Sequence, residues 1–375
     1  MSAVDLAITD DQEMLRAATA GFVQSACPLT RIRELGETGA DVGADYVRSG
    51  AELGWFAMLV PEEQGGGSVS GHGVLDAVIL AEERGRLLQP GAFVATNVVA
   101  DALARRGAGP EQEEALTSIV AGAARVAWVL ADRAGDWGAP GVRAVGKGDQ
   151  VVLDGTSTLV QDADVADWLL VTANGEGITQ VLVRADAPGV TVTPKTGLDI
   201  TRRFADVTFD GVTVPGSGVV GGIGEGGDDV ERQFDVAAVL TVAESVGAMD
   251  AIFTDTVEYA KVRTAFGRPI GSFQAVKHLL ADTALVLEQS KAIATAAARA
   301  LQEGRDDAGE VASMAKAFVG EGGIELAQNC WQAFGGIAYT WEHDLHLYLR
   351  RLTADAALYG EPAWHRERIC RIHGL

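Results

Sequence analysis

Arg263-Thr264-Ala265-Phe266-Gly267-Arg268-Pro269-Ile270-Gly271-Ser272-Phe273-Gln274 puts two guanidinium groups, a hydroxyl, an aromatic ring and a carboxamide into one turn between two long helical patterns. Guanidinium forks bind phosphate oxygens bidentately and a ring beside an amide suits a purine, so this set fits a pyrophosphate joined to an adenine. An ordinary helix–helix loop whose arginines meet surface carboxylates has the same composition. Further on, Gln332-Ala333-Phe334-Gly335-Gly336-Ile337-Ala338-Tyr339-Thr340-Trp341-Glu342 carries paired glycines. These let a ligand or another backbone approach closely, although a glycine-ended helix reads the same way.

Other candidates are weaker. Gly222-Ile223-Gly224-Glu225-Gly226-Gly227 fits GxGxxG, but Asp228 and Asp229 follow it and would repel a pyrophosphate at that helix start. No β-α-β unit surrounds it, so it reads as a flexible inter-domain linker. His343 and His346 could share a helical face, but no third ligand stands at a suggestive spacing; interdomain hydrogen bonding is expected and no metal site. Cys27, Cys330 and Cys370 are too scattered for a disulfide framework and read as buried small hydrophobes.

The elements that must position these groups come in three textures. Helical periodicity runs through DDQEMLRAATAGFVQSA, DYVRSGAELGWFAML and GVLDAVILAEERGRLL, with Asp10 or Asp11 as the first cap. From about Ala124 to Val220 come short alternating runs rich in Val and Thr, with Asp154-Gly155 and Asp210-Gly211 as turn pairs, which predict antiparallel strands. Two long helices follow, the second capped by Ser272, and Asp306 or Asp307 opens a third. This is an α+β arrangement. It divides into 1–122 helical, 123–222 a middle antiparallel β-barrel, and 228–375 helical.

Composition narrows the partners. The 375 residues carry 30 Lys+Arg against 52 Asp+Glu, a formal charge of −22 that disfavours nucleic acid and anionic membrane surfaces. The acidic opening MSAVDLAITDDQEML has no signal-peptide pattern and no uninterrupted apolar run reaches a bilayer span, so a cytoplasmic protein is expected.

Together the two glycine- and arginine-bearing segments resemble the acyl-CoA dehydrogenase family, whose last domain carries R-x-x-F-G-x-x-I-x-x-x-Q and Q-x-x-G-G-x-x-Y/F-x-x-E. The amino-terminal ITDDQEMLRAATAGFV and LGWFAMLVPEEQGGGSVSGHGVLDAVILAEERGR are similar to the family's opening helix and L-G…P-E-x-x-G-G-x-G signature. The resemblance spans essentially the whole chain. It implies an N-terminal helical domain, a middle β-barrel and a C-terminal four-helix bundle, FAD, and oxidation of an acyl-CoA thioester to the enoyl-CoA. That chemistry needs a carboxylate base for the α-proton.

The family's Y-E-G-T glutamate position falls here on Tyr359, and the alternative position on the first long helix falls on Ala237. Glu361 and Glu244 are the nearby acids that could replace it. The flavin-holding T-E-P-x-x-G-S-D segment corresponds to Leu130–Gly138 without its Glu-Pro pair, and the W/F-I/V-T segment to Leu159-Val160-Gln161. What survives are the segments that, in the family, hold the adenosine pyrophosphate of the neighbouring subunit's FAD: Arg263, Thr264, Phe266 and Gln274, with Gln332, Ala333, Phe334, Gly335 and Gly336. The resemblance therefore implies a non-catalytic subunit with no catalytic residue of its own. It would pair as α2β2 with a homologous catalytic subunit that binds most of the acyl-CoA, similar to paired members of actinobacterial steroid degradation. The alternatives are a self-sufficient homo-oligomer using Glu244 or Glu361, and a flavin-free scaffold.

Overall fold

A computed structural model describes residues 8–375; MSAVDLA, part of the acidic opening, lies outside the described residues. The first helix, α1 (Asp10–Ala26), is capped by Thr9, whose hydroxyl accepts from the Gln12 N–H at 3.2 Å while the Gln12 side chain accepts from the Thr9 N–H at 3.1 Å. This capping box, rather than Asp10 or Asp11, starts the helix, because the cap residue must keep extended backbone outside it. Then come α2 (Leu29–Thr38) and α3 (Ala44–Glu52). The latter ends well before the expected Leu59, since Gly54 at φ +80° breaks it and turns Trp55 and Phe56 into the core. Helices α4 (Gly73–Arg86), α5 (Phe93–Arg106) and α6 (Pro110–Val120) complete this layer.

Eight strands follow: β1 (Val126–Val129), β2 (Val142–Lys147), β3 (Gln150–Gln161), β4 (Trp168–Asn174), β5 (Thr179–Arg184), β6 (Val190–Lys195), β7 (Phe204–Pro215) and β8 (Val219–Val220). They form one sheet in the order β6-β7-β3-β2-β4-β5-β8 around a shared apolar core that includes Leu153, Val171, Val181 and Val207. Most pairings are antiparallel as expected, but β1 and β2 both run parallel to β4, along successive stretches of its edge. Asp154-Gly155 and Asp210-Gly211 are not turns. They lie inside β3 and β7 at a register shift, where the Asp154 carboxylate accepts the Gly211 N–H at 2.8 Å.

The glycine-rich segment before the last domain is pinned rather than free. Gly226 N–H donates to Ile178 O (2.8 Å) and Gly224 N–H to Thr179 Oγ1 (2.9 Å). Five helices build the last domain: α7 (Gly227–Val262), α8 (Gln274–Gln302), α9 (Ala308–Phe334), α10 (Leu345–Ala357) and α11 (Pro362–Ile372). Helix α9 packs against the other four, and α7 also lies on α4. Helix α7 is, among the described residues, long and apolar enough to cross a membrane, although polar residues interrupt its apolar run; its residues are mostly buried as the central core helix. Ser272 caps nothing: its hydroxyl donates to Pro269 O, and Phe273 occupies the cap position of α8. Cys27 and Cys330 are buried, while Cys370 is half-buried.

Candidate functional site

Helix α7 ends where Arg263 leaves helical backbone, its N–H still donating to Tyr259 O at 2.8 Å. Two short strands, β9 (Thr264–Ala265) and β10 (Arg268–Pro269), then pair antiparallel around Phe266 and Gly267, both at positive φ (51° and 79°). Left-handed backbone at both central residues is the type I′ hairpin geometry, which glycine adopts freely and phenylalanine only under strain. The result holds the Phe266 ring 96% exposed. Fixed strain that projects an apolar ring into solvent suits a surface covered by something else.

Arg263, Thr264, Arg268 and Gln274 are exposed on this hairpin and at the start of α8. Arg263 makes no ion pair among the described residues, and the Arg268 guanidinium lies 4.1 Å from the Phe273 ring centroid. Because α7, α8 and α9 run up, down and up, the end of α9 returns to the same place. Tyr259 near the hairpin stacks on Phe334 at 4.2 Å and 15°. The two segments singled out in sequence thus meet at one end of the helical domain. Gln332 and Gly336 are exposed, while Ala333 and Gly335 are half-buried. Phe334 is buried, its ring spent on Tyr259 and His343. Gly335, at φ +68°, closes the helix, and a Cβ on either glycine would meet nothing within 4 Å. The helix-ending role and the open approach therefore coexist. The guanidinium, ring and amide groups present here fit a dinucleotide's pyrophosphate half.

The positions that would serve a flavin ring inside the chain look different. Tyr359 is 4% exposed, with backbone at φ +56°. Its ring stacks on Trp128 with centroids 5.8 Å apart and meets Trp137, from the Leu130–Gly138 loop, at 5.2 Å. Rings in direct contact stand about 4.5–7 Å apart, so no third ring system fits between them. Burial pushes the phenol above its ordinary range, and it is no base near neutral pH. Asp132 closes the loop on itself by accepting the Ala134 and Asp136 N–H groups (2.7 and 2.9 Å). Gln161 is buried and donates to Gly91 O at 3.2 Å. The residues present do not fit an isoalloxazine.

Neither replacement acid is free. Glu244 is 1% exposed; Oε2 accepts from Arg202 at 2.8 Å and Oε1 lies 4.0 Å from Arg84. It belongs to a buried cluster in which Arg202 also donates to Asp355 (2.6 Å) and Arg351 donates to Asp199 (2.7 Å). Burial alone would raise the Asp199 carboxyl, but Arg351 and Arg202 hold it below the usual range; burial raises Asp355 despite the same two arginines. Arg84 comes from α4, Asp199 and Arg202 from the β6–β7 loop, Glu244 from α7 and Arg351 and Asp355 from α10, so the cluster ties the three layers together. Glu361 is exposed at the cap position of α11.

His343 and His346 do not link domains. The His343 ring accepts the Leu345 N–H at 3.1 Å and His346 stacks on Trp341 at 4.6 Å. The links to α2 come from their neighbours: Glu37 accepts from the Trp341 indole at 2.8 Å, and Arg33 pairs with Asp344. Among the described residues no group of three His, Cys, Asp or Glu could hold a metal.

Sequence reading missed Lys316. Fully buried in α9, its ammonium donates to Ala356 O and Gly360 O, both at 3.0 Å, and so clamps the Tyr359 turn. Burial lowers it from 10.5 to about 7. Between those values the unfolded chain binds the proton that the folded chain releases, so stability rises with pH across this window. Unfolding free energy should climb by about 2–3 kcal/mol between pH 7 and 9.5. Urea titration of the Lys316→Met variant, which removes the titrating group, should show that rise abolished.

Comparison with known proteins adds the following. Residues 9–123 match the acyl-CoA dehydrogenase N-terminal domain and 224–373 the acyl-CoA dehydrogenase C-terminal domain. The chain is 30% identical to the acyl-CoA dehydrogenase IpdE2 of Mycolicibacterium smegmatis over 97% of its length and 98% of the relative's. Among solved structures, it resembles a chain of the ChsE4-ChsE5 complex from Mycobacterium tuberculosis (TM-score 0.89, 28% identity, 99% of each chain). It also resembles one from the Tcur3481-Tcur3483 steroid ACAD G363A variant (TM-score 0.87, 28% identity, 97% and 98%).

Proposed function

Since the chain belongs to the acyl-CoA dehydrogenase family, whose members bind FAD, we propose that it is the non-catalytic subunit of a heteromeric acyl-CoA dehydrogenase. It completes the FAD site of a homologous catalytic partner and has no working site of its own. One observation carries this reading: where the family's catalytic glutamate is expected stands Tyr359, buried and in direct ring contact with Trp128 and Trp137. The exposed Arg263–Gln274 hairpin supports the complementary half. When bound, FAD would supply the acceptor for the β-hydride of the acyl chain, and the partner would supply the base for the α-proton. This chain's part is to hold the cofactor's pyrophosphate with Arg263, Thr264 and Gln274 and to cover its adenine with Phe266. Backbone and amide contacts come from Gln332, Ala333, Phe334, Gly335 and Gly336.

The two neighbours named as complexes support a partner subunit; a partner of the same fold, assembled as α2β2, is part of this proposal. A pair with one reduced pocket leaves room for a bulky acyl group, which favours a steroid-side-chain thioester as substrate; that choice rests on the likeness to the steroid enzyme alone. Purified by itself, the chain should carry substoichiometric flavin and leave acyl-CoA unchanged when assayed with an artificial electron acceptor. A yellow, stoichiometrically loaded chain that dehydrogenates acyl-CoA would mean a self-sufficient enzyme instead.

A further inference from the structure

The segment Gln332–Gly336 runs on into a loop that is gripped at both ends. At the near end Phe334 is buried, stacked on Tyr259 of α7 and 4.7 Å from the His343 ring. At the far end stands Trp341, 46% exposed. Glu37 of α2 accepts its indole N–H at 2.8 Å, across a separation of 304 positions. Arg33, one turn earlier on α2, donates to the Trp341 backbone carbonyl and pairs with Asp344. His346 stacks on the indole at 4.6 Å and 23°, and the guanidinium carbons of Arg33 and Arg350 lie 5.9 and 5.8 Å from its ring centroid. An indole hydrogen-bonded at its polar edge and covered on its faces has a fixed orientation.

Between the two grips little holds the chain. From Gly335 to Thr340 only Ala338 is buried, and its methyl group has no polar handle. Tyr339 is 75% exposed and meets the Trp331 ring edge-on at 4.9 Å. A Cβ on Gly335 or Gly336 would meet nothing within 4 Å, so among the described residues no wall stands against them there. Glycine backbone has wide conformational freedom, and the direction of these peptide groups is therefore set by where the ends of the loop are tied.

We propose that Trp341 is a positioning residue for the cofactor half-site: its hydrogen bond to Glu37 ties the Gly335–Gly336 backbone to α2 and presents it, already ordered, to the pyrophosphate. The inference rests on the reading of Gln332–Gly336 as a cofactor contact. Trp341 acts through the glycines and not by touching the cofactor. The N-terminal domain thereby becomes part of a half-site whose contacts all come from the last domain. A loop ordered in advance loses less freedom when it binds, so untying it weakens binding without removing a contact.

The test uses the complex co-expressed with a homologous partner, with FAD dissociation constants read from flavin fluorescence. Thermal melting is followed on the chain alone. Glu37→Ala and Trp341→Phe should each weaken FAD about three- to tenfold. Melting should stay unchanged, because both side chains are exposed and phenylalanine keeps the stack on His346. The double variant should lose no more than either single one, since both changes remove the same bond. Glu37→Gln, whose amide oxygen still accepts from the indole, should stay within about twofold of the unaltered complex.

Arg263→Ala in the same assay separates this inference from the reading beneath it. Three results would overturn the tie to α2 and leave the half-site standing: FAD lost in Arg263→Ala but kept in Glu37→Ala, losses that add in the double variant, or a loss in Glu37→Gln as large as in Glu37→Ala. A melting temperature that falls in Glu37→Ala would make the contact a structural one and overturn it too. If Arg263→Ala and the Glu37 and Trp341 variants all keep FAD, the half-site falls and the inference with it.

Discussion

Arg263→Ala in the assembled enzyme should weaken FAD retention about 10- to 100-fold while leaving assembly and thermal stability unchanged. A guanidinium fork on a phosphate makes charge-assisted paired bonds worth about 1.5–3 kcal/mol, and alanine offers nothing in their place. Stability should not move, because the side chain is exposed and makes no ion pair among the described residues. That separates a cofactor contact from a structural one, which would lower the melting temperature as well. Arg263→Lys keeps the charge and loses the fork, so its FAD dissociation constant should lie between wild type and alanine. Fluorescence of flavin released during dialysis, measured on complexes of matched concentration, checks all three. Equal retention in Arg263→Ala would remove the hairpin from the cofactor site.

The second large effect is on the fold. Arg202→Met should cost about 3–5 kcal/mol of stability, because it leaves buried Asp355 without an ion-pair partner among the described residues and leaves Glu244 only Arg84, at 4.0 Å. Asp199 would keep Arg351 as its ion-pair partner. Glu244→Gln should cost less, since the amide still accepts from Arg202 and no buried charge of its own is left behind. Acid acts in the same sense. The Asp199 carboxyl is held low in the folded chain, so the stability it contributes is present above the unfolded carboxyl value of about 4 and is lost as pH falls through the folded one. Urea midpoints at pH 7 and pH 3 measure both. A Glu244→Gln loss as large as that of Arg202→Met would point to the carboxylate, rather than the guanidinium hub, as the centre of the cluster.

Much of the architecture was legible in the chain because periodicity follows burial on one face. The α1 pattern and strands β3, β6 and β7 show this, since each repeats or alternates against one core, whereas β4 and β5 are buried along both faces. Where side chains meet across distant elements, local pattern carries no signal. Asp154-Gly155 and Asp210-Gly211 look like turns by composition, yet they face each other across two strands at a bulge. Nothing local in the sequence sets Arg84, Arg202 and Arg351 apart, and only the fold shows that they meet Asp199, Glu244 and Asp355 in the interior. The cofactor hairpin was found because its residues are contiguous. The departure from the family's flavin and base positions was legible only as missing motifs at Tyr359 and Leu159–Gln161. That Trp128 and Trp137 pack against Tyr359 could not be read locally, because those two residues and Tyr359 lie more than two hundred positions apart.

The acidic balance of the chain also takes on a more exact meaning. A net charge of −22 argues against polyanionic partners as a whole, yet Arg263 and Arg268 stand exposed on one hairpin where a single pyrophosphate could bind.

The central claim is that each pair of chains shares one flavin. Its most direct test is the FAD-to-protein ratio of the complex co-expressed with a homologous partner, from flavin absorbance and quantitative amino-acid analysis. One FAD per two chains is the expected result. One FAD per chain would show that this chain holds a flavin ring of its own and would contradict the account.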